Sequence, residues 1–275
     1  MQTETVKLPS GASITLRKMT LRDQSHLASV MRSKRSKQEQ VLVDMVSRCC
    51  DGFEDVGPYP GVEVGKKINW DDMLQGDFLA AMIALRKMSF REGKNYSVDL
   101  TCPAATCNNR FQWQVDLDED LFYQELPEES AAQLKNGEPF TCTIAGKKVS
   151  FNLSYVKDQK QIEKIAKRNP GRDMAVMFRS RIVDVEGVDR KDIMNWLDGE
   201  KGDFDGLYAD DAEDLRDAFA KVDCGVDTEV EAECPRMMCG NVFTFDLPFA
   251  GMLTPGRGAA RKKSARHRGA DSSED

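Results

Sequence analysis

The chain has 275 residues, 40% hydrophobic and 31% charged, with a formal net charge of −7 and a pI near 5.1. That length allows one large or two modest domains, and the acidic balance argues against a protein that binds nucleic acid over its whole surface, since phosphate contacts need local positive charge. The segment 1–11 has no apolar leader and no apolar run approaches the roughly 18 residues of a membrane span, so a cytoplasmic setting is expected, in which eight cysteines read as thiols rather than a disulfide framework.

Residues 6–16 predict a hairpin turning at Pro9-Ser10-Gly11, with Ile14 and Leu16 pointing inward. Residues 20–32 predict a helix with Thr20 as N-cap and Asp23 in the first turn, where a carboxylate opposes the helix dipole. A second helix is expected over 36–50, with Val41, Leu42, Met45, Val46 and Cys49 on one apolar face. The glycines and prolines of 51–65 predict a loop, apolar enough between Phe53 and Val64 to meet a partner. Residues 69–90 carry the densest apolar pattern and predict one long, largely buried helix.

Strands are expected at 96–101 and 110–117, where Phe111, Trp113, Val115 and Leu117 alternate. An acidic connector with some helical character follows over 116–137. A strand pair is predicted at 140–144 and 148–153, then helices at 158–168, 173–183, 189–198 and 209–221, then strands at 229–233 and 242–247. Residues 254–275 read as a disordered basic tail. It is either a solvated end or an electrostatic arm for an acidic partner or nucleic acid.

Between the members of each later strand pair stands the same motif. Cys102-Pro103 is followed by Cys107, Asn109, Phe111 and Trp113; Cys234-Pro235 is followed by Cys239, Asn241, Phe243 and Phe245. Val98 and Val230 precede the first cysteines by the same interval. Upstream, the stretch Gly11–Gln24 matches Gly146–Gln159, with Asp-Gln at the end of each. Leu85-Arg86 and Gly93 likewise echo Leu215-Arg216 and Gly225. The expected fold is therefore α+β, with an internally duplicated unit of β-hairpin, helices and cysteine-knuckle hairpin. The segments would be 1–120 for the first repeat, 121–139 for the connector, 140–250 for the second repeat and 251–275 for the tail.

Two knuckles supply four thiolates, the number a closed structural zinc site needs. Cys102, Cys107, Cys234 and Cys239 are thus the expected ligands of a structural Zn²⁺, pairing the knuckles into a zinc-ribbon-like module. Unmetallated thiols, or disulfides within each knuckle, are the alternatives. Cys49, Cys50, Cys142 and Cys224 read as small buried hydrophobes. A fully thiolate-bound metal has no open position for water or substrate, and His26 and His267 have no nucleophile partner. Asp71-Asp72 and Asp210-Asp211 fall near helix starts, and with 118–120 they are the acidic clusters a metal enzyme would need. No catalytic or cofactor-binding residue is expected.

The order of these signals resembles the T-even-type phage baseplate protein family. The matching residues are Leu8-Pro9-Ser10-Gly11, Ile14 to Arg17, Thr20 to Asp23, Ala84-Leu85-Arg86 and the first knuckle leading to Val115-Asp116-Leu117. Cys224 to Thr228, the second knuckle and Phe245 to Phe249 complete the set. The resemblance covers most of 5–250, with a longer cysteine spacing than the Cys-x2-Cys of relatives. It implies a non-enzymatic baseplate hub component or hub assembly factor. Its partners would be other baseplate and hub proteins, met in the host cytoplasm during assembly, with a place in the finished virion and a homo-oligomer both left open. The competing reading is a zinc-ribbon nucleic-acid-binding or transcription-related protein. Asp116, Asp118, Glu119, Glu231 and Glu233 count against it by outnumbering Arg110 and Arg236 around the knuckles.

Overall fold

A computed structural model describes residues 2–32, 38–199 and 204–254 of the chain. The architecture is α+β, built from short antiparallel sheets and short helices. Strands β1 (Thr3–Lys7) and β2 (Ser13–Arg17) form the expected hairpin, with Gly11 in the left-handed region at its turn. Helix α1 (Leu21–Arg32) begins where Thr20 predicts it. Asp23 accepts hydrogen bonds from the Thr20 amide and hydroxyl and from both terminal nitrogens of Arg17. Those donors hold its carboxyl well below the usual carboxylate range, the Arg17 guanidinium foremost, although burial works against them.

Helix α2 (Gln38–Cys49) ends one residue earlier than the sequence pattern suggests, because Cys50 opens a strand. That strand, β3 (Cys50–Asp55), lies in a segment expected to be loop. It pairs with β2 through two register shifts, Leu16 opposite Cys50 and Ile14 opposite Phe53. Gly52 meets the Lys66 carbonyl so closely that a Cβ there would sit 2.8 Å from its oxygen.

The long helix expected over 69–90 is interrupted. A single 3-10 turn spans Trp70–Asp72, and helix α3 begins only at Gln75 and runs to Ser89. Between them the backbone is extended, and Leu74 bridges to Tyr155 while the Val156 amide donates to the Met73 carbonyl. Gly76, in the first turn of α3, stands where a Cβ would come within 2.3 Å of the Cys224 carbonyl oxygen. Asp77 is fully buried beside it and accepts from the Ser10 amide and the Tyr59 hydroxyl.

Strands β4 (Asn95–Thr101) and β5 (Arg110–Asp116) frame the first knuckle as expected. The connector contributes β6 (Phe122–Gln124) and helix α4 (Glu128–Asn136), the latter closed by Gly137 in the left-handed conformation. Strands β7 (Phe140–Ile144) and β8 (Lys147–Phe151) meet at Ala145-Gly146, both at positive φ, the geometry a two-residue hairpin turn favours. Helices α5 (Asp158–Arg168) and α6 (Asp173–Arg181) then lead into β9 (Ile182–Val185), expected to be the end of a helix. Ile182 and Val185 instead pair with Phe151 and Val149 of β8. Helices α7 (Ile193–Asp198) and α8 (Ala209–Val222) follow. Strand β10 (Gly225–Asp227) pairs with β6, and β11 (Glu229–Glu233) with β12 (Val242–Asp246) frames the second knuckle.

The two three-stranded sheets share one topology. Each is a hairpin, two helices and a third strand that returns antiparallel to the hairpin's second strand, in the orders β1-β2-β3 and β7-β8-β9. Both third strands fit an extra residue between their two inward-facing pairs: 14/53 and 16/50 in one, 149/185 and 151/182 in the other. Asp158 caps α5 as Asp23 caps α1, accepting from the Tyr155 amide at 2.8 Å.

The chain divides into two compact units, each drawn from both halves of the sequence. The first comprises residues up to Leu85 together with Phe122–Asp227. The second comprises Arg86–Leu121 together with the chain from Thr228 onward. Within the second unit the two knuckle hairpins pack with each other: Phe111 and Phe243 meet edge-to-face at 6.4 Å. The 254–275 tail, apart from Thr254, and His267 lie outside the described residues. His26 is paired with Asp44 at 2.9 Å on an exposed face.

Candidate metal centre

The second unit holds the four cysteines of the repeated motif. The knuckles are superposable in hydrogen bonding as well as in sequence. The Cys102 amide donates to the Asn109 carbonyl and the Cys234 amide to the Asn241 carbonyl, each at 2.9 Å. Inside the turns, the Cys107 amide donates to Ala104 and the Cys239 amide to Arg236. Asn108 and Gly240, the residues after each second cysteine, both take positive φ, as a chain reversing into β5 or β12 requires. The strands beneath are in one register: Val98 faces Trp113 and Val230 faces Phe245, while Leu100 faces Phe111 and Ala232 faces Phe243.

That shared register brings the sulfurs together. All four Sγ atoms lie within 4.8 Å of one another. Cys102 Sγ is 3.8 Å from Cys239 Sγ, and Cys107 Sγ is 3.7 Å from Cys234 Sγ. Each close pair therefore joins one knuckle to the other. A tetrahedral metal with sulfurs at about 2.3 Å needs sulfur–sulfur edges of about 3.8 Å. The cluster could hold one metal ion. Its chemistry is that of a soft, thiophilic site, with Cys102 and Cys234 buried and Cys107 and Cys239 half-buried. The eight cysteines are free of disulfides, so the within-knuckle disulfides considered from the sequence are not formed. Cys49 and Cys50 are buried away from the cluster, and burial pushes both thiols up to about 11.

The thiols do not share one acidity. Burial opposes ionisation of Cys107, but the Asn109 amide, the thiols of Cys239 and Cys234 and the Arg236 guanidinium outweigh it and bring the group down to about 7. Burial raises Cys102. The Asn241 amide favours a Cys239 thiolate, yet hydrogen bonding to Cys107, burial and the other two thiols carry it up. Four anionic sulfurs at this spacing repel strongly, so full ionisation needs a cation among them.

Two further groups touch the sulfurs. Asn109 Nδ2 lies 3.7 Å from Cys234 Sγ, and Arg236 Nη1 lies 4.0 Å from Cys107 Sγ while donating to the Cys107 carbonyl at 3.1 Å. Each reaches across to the other knuckle. The recurring asparagine of the motif was the available sequence signal for the first; Arg236 stood out in the sequence only as a cation beside the knuckles, not as a sulfur contact. The acidic pairs considered for an enzyme are spoken for elsewhere: Asp71 and Asp72 bind Lys160 and Lys157, and Asp210 and Asp211 sit in the first turn of α8.

Residues 1–248 match the family described as T4 bacteriophage base plate protein. The chain belongs to that family. It is accordingly a structural, non-catalytic component of a phage baseplate, and other baseplate proteins are its partners. No curated protein and no solved structure matches the chain significantly. Among the described residues no helix is long and apolar enough to cross a membrane.

Proposed function

We propose that this protein is a zinc-braced adaptor of the baseplate hub, acting as a hub subunit or as a factor that assembles the hub in the host cytoplasm. The observation that carries the reading is a four-sulfur cluster drawn from two segments far apart in a chain matched to the baseplate family. Cys102, Cys107, Cys234 and Cys239 are its four ligands. Sulfur edges of 3.7 and 3.8 Å support Zn²⁺, which favours closed tetrahedral thiolate sites. With four protein ligands the ion has no site for substrate, and its part is to clamp the two hairpins of the second unit.

The same reading includes an internal duplication. Its support is the matched strand order of the two three-stranded sheets, the extra residue at the same place in each third strand, and the common register of the knuckle hairpins. A nucleic-acid role for the knuckles is disfavoured by charge. Glu229, Glu231, Glu233 and Asp246 stand along the second hairpin, with Asp99 on the first, against Arg110 and Arg236.

The test is elemental mass spectrometry on freshly purified protein, with thiol counting on the same sample. One zinc per chain and four thiols protected until denaturation is the expected result. A metal-free protein with all four knuckle thiols reactive under native conditions would remove the clamp and leave the family assignment untouched.

A further inference from the structure

Two adjoining cavities of about 450 and 540 Å³ open on the first unit and share Pro60, Leu134, Tyr155 and Lys157. Together they form one groove. Its cations are Arg179, Arg181 and Arg190 at one end, Lys157 in the middle, and Lys66 and Lys67 at the other. The carboxylates on its walls are mostly engaged: Glu63 with Lys66, Asp72 with Lys157, and Asp158 with the Tyr155 amide, leaving Glu138 exposed at the rim.

The cations are less well matched. Arg179, Arg190 and Lys67 have no ion-pair partner among the described residues. Arg179 is half-buried and, among the described residues, donates to the main-chain carbonyls of Ile182 and Arg190. Burial, then the like charge of Arg190, disfavours its cation. Arg181 pairs with Asp223 and lies over the Phe219 ring, yet its Nη2 is buried without a hydrogen-bond partner. In a chain of net charge −7 this is a local reversal of sign.

The cluster is not something the shared fold demands. By strand register, Ile182 stands where Cys50 stands in the other three-stranded sheet. Arg179 and Arg181 therefore occupy the places of Ser47 and Cys49, so these two cations have no counterpart in the other sheet.

We propose that this groove binds an acidic, partly apolar peptide segment of a partner protein, with carboxylates on Arg179, Arg181 and Arg190 and apolar side chains over Pro60, Val62 and Tyr155. Planar guanidinium groups suit carboxylates, which accept their paired N–H groups. The wall carboxylates interrupt the positive charge, which penalises a uniformly charged nucleic-acid backbone and tolerates a peptide of mixed composition. The inference does not depend on the metal.

The experiment titrates a fluorescein-labelled peptide of alternating leucine and glutamate into the full-length protein and follows anisotropy. A thymidine oligonucleotide serves as competitor. Binding that weakens with salt is expected, with the oligonucleotide failing to displace the probe. Arg190→Gln should weaken it about tenfold or more, the loss of one charge-assisted contact. Arg190 is exposed and makes no hydrogen bond through its side chain among the described residues, so R190Q should keep the wild-type melting temperature. Lys167→Gln, on the exposed face of α5, should stay within about twofold of wild type. R190Q binding as tightly as wild type, failure of the wild-type protein to bind the acidic peptide, or displacement by the oligonucleotide would each overturn the proposal.

Discussion

Replacing Cys102 by serine tests the clamp at its most buried point. Cys102 has no solvent exposure, and its sulfur sits 3.8 Å from Cys239. Structural zinc contributes roughly 10–16 kcal/mol of apparent binding energy in small sites, so one thiolate of four represents about 2.5–4 kcal/mol. At about 1.4 kcal/mol per decade, C102S should weaken zinc by about two to three orders of magnitude. The consequence for folding should be local. The second unit is two ribbons whose core consists of residues such as Val98, Val115, Leu117, Val230 and Leu247. A two-stranded ribbon is marginal alone. The first unit carries its own buried set, including Ile14, Leu16, Val149, Phe151 and Leu215. Competition with a colorimetric chelator gives the affinity, and hydrogen exchange read by mass spectrometry gives the location. Amides of β4, β5, β11 and β12 should lose protection in C102S while those of β2 and β8 keep it. Wild-type zinc affinity in C102S, or unchanged protection in the ribbons after complete metal removal, would refute the reasoning.

Asp23 is 2% exposed and paired with Arg17, so Asp23→Ala should destabilise by about 3–5 kcal/mol by leaving a largely buried guanidinium unpaired. Its folded pKa lies below the unfolded value of about 3.9, so its contribution is present above that pH and is lost as pH falls. Urea midpoints measured from pH 7 down to pH 2 should accordingly fall less steeply in D23A than in wild type. Gly76→Ala should destabilise by about 1–3 kcal/mol despite the better helix propensity of alanine, because the new Cβ meets backbone at Cys224 and Gly225. An unchanged or raised melting temperature for G76A would mean that contact is not rigid.

Local chemistry carried much of this protein in its sequence. The alternation in Phe111, Trp113 and Val115, the Thr20–Asp23 cap and the apolar stripe of α2 each act within one strand or one turn, and each formed where its residues predict. The motif itself placed the sulfurs: the prolines, the recurring asparagines and the matched flanking valines build two hairpins of one geometry, so four cysteines far apart in sequence converge.

What the sequence left unread depends on partners distant along the chain. Strand β3 has a poor strand pattern of its own, Cys50 to Asp55 being acidic and carrying Gly52, and β9, though rich in β-branched residues, is only four residues long and directly follows a helix; both become strands because β2 and β8 offer unpaired backbone. The helix expected through Met73 and Leu74 breaks because those residues hydrogen-bond with the chain around Tyr155 and Val156. Grouping into compact units followed the same rule, since each unit draws on both halves of the chain and in the second the two knuckle hairpins pack with each other. The sequence by itself determined the elements whose stabilising contacts are local, and the spacing of the cysteines. Tertiary structure alone decided which backbone groups found distant partners, and with them where helices end, which loops become strands and how cations gather in a groove.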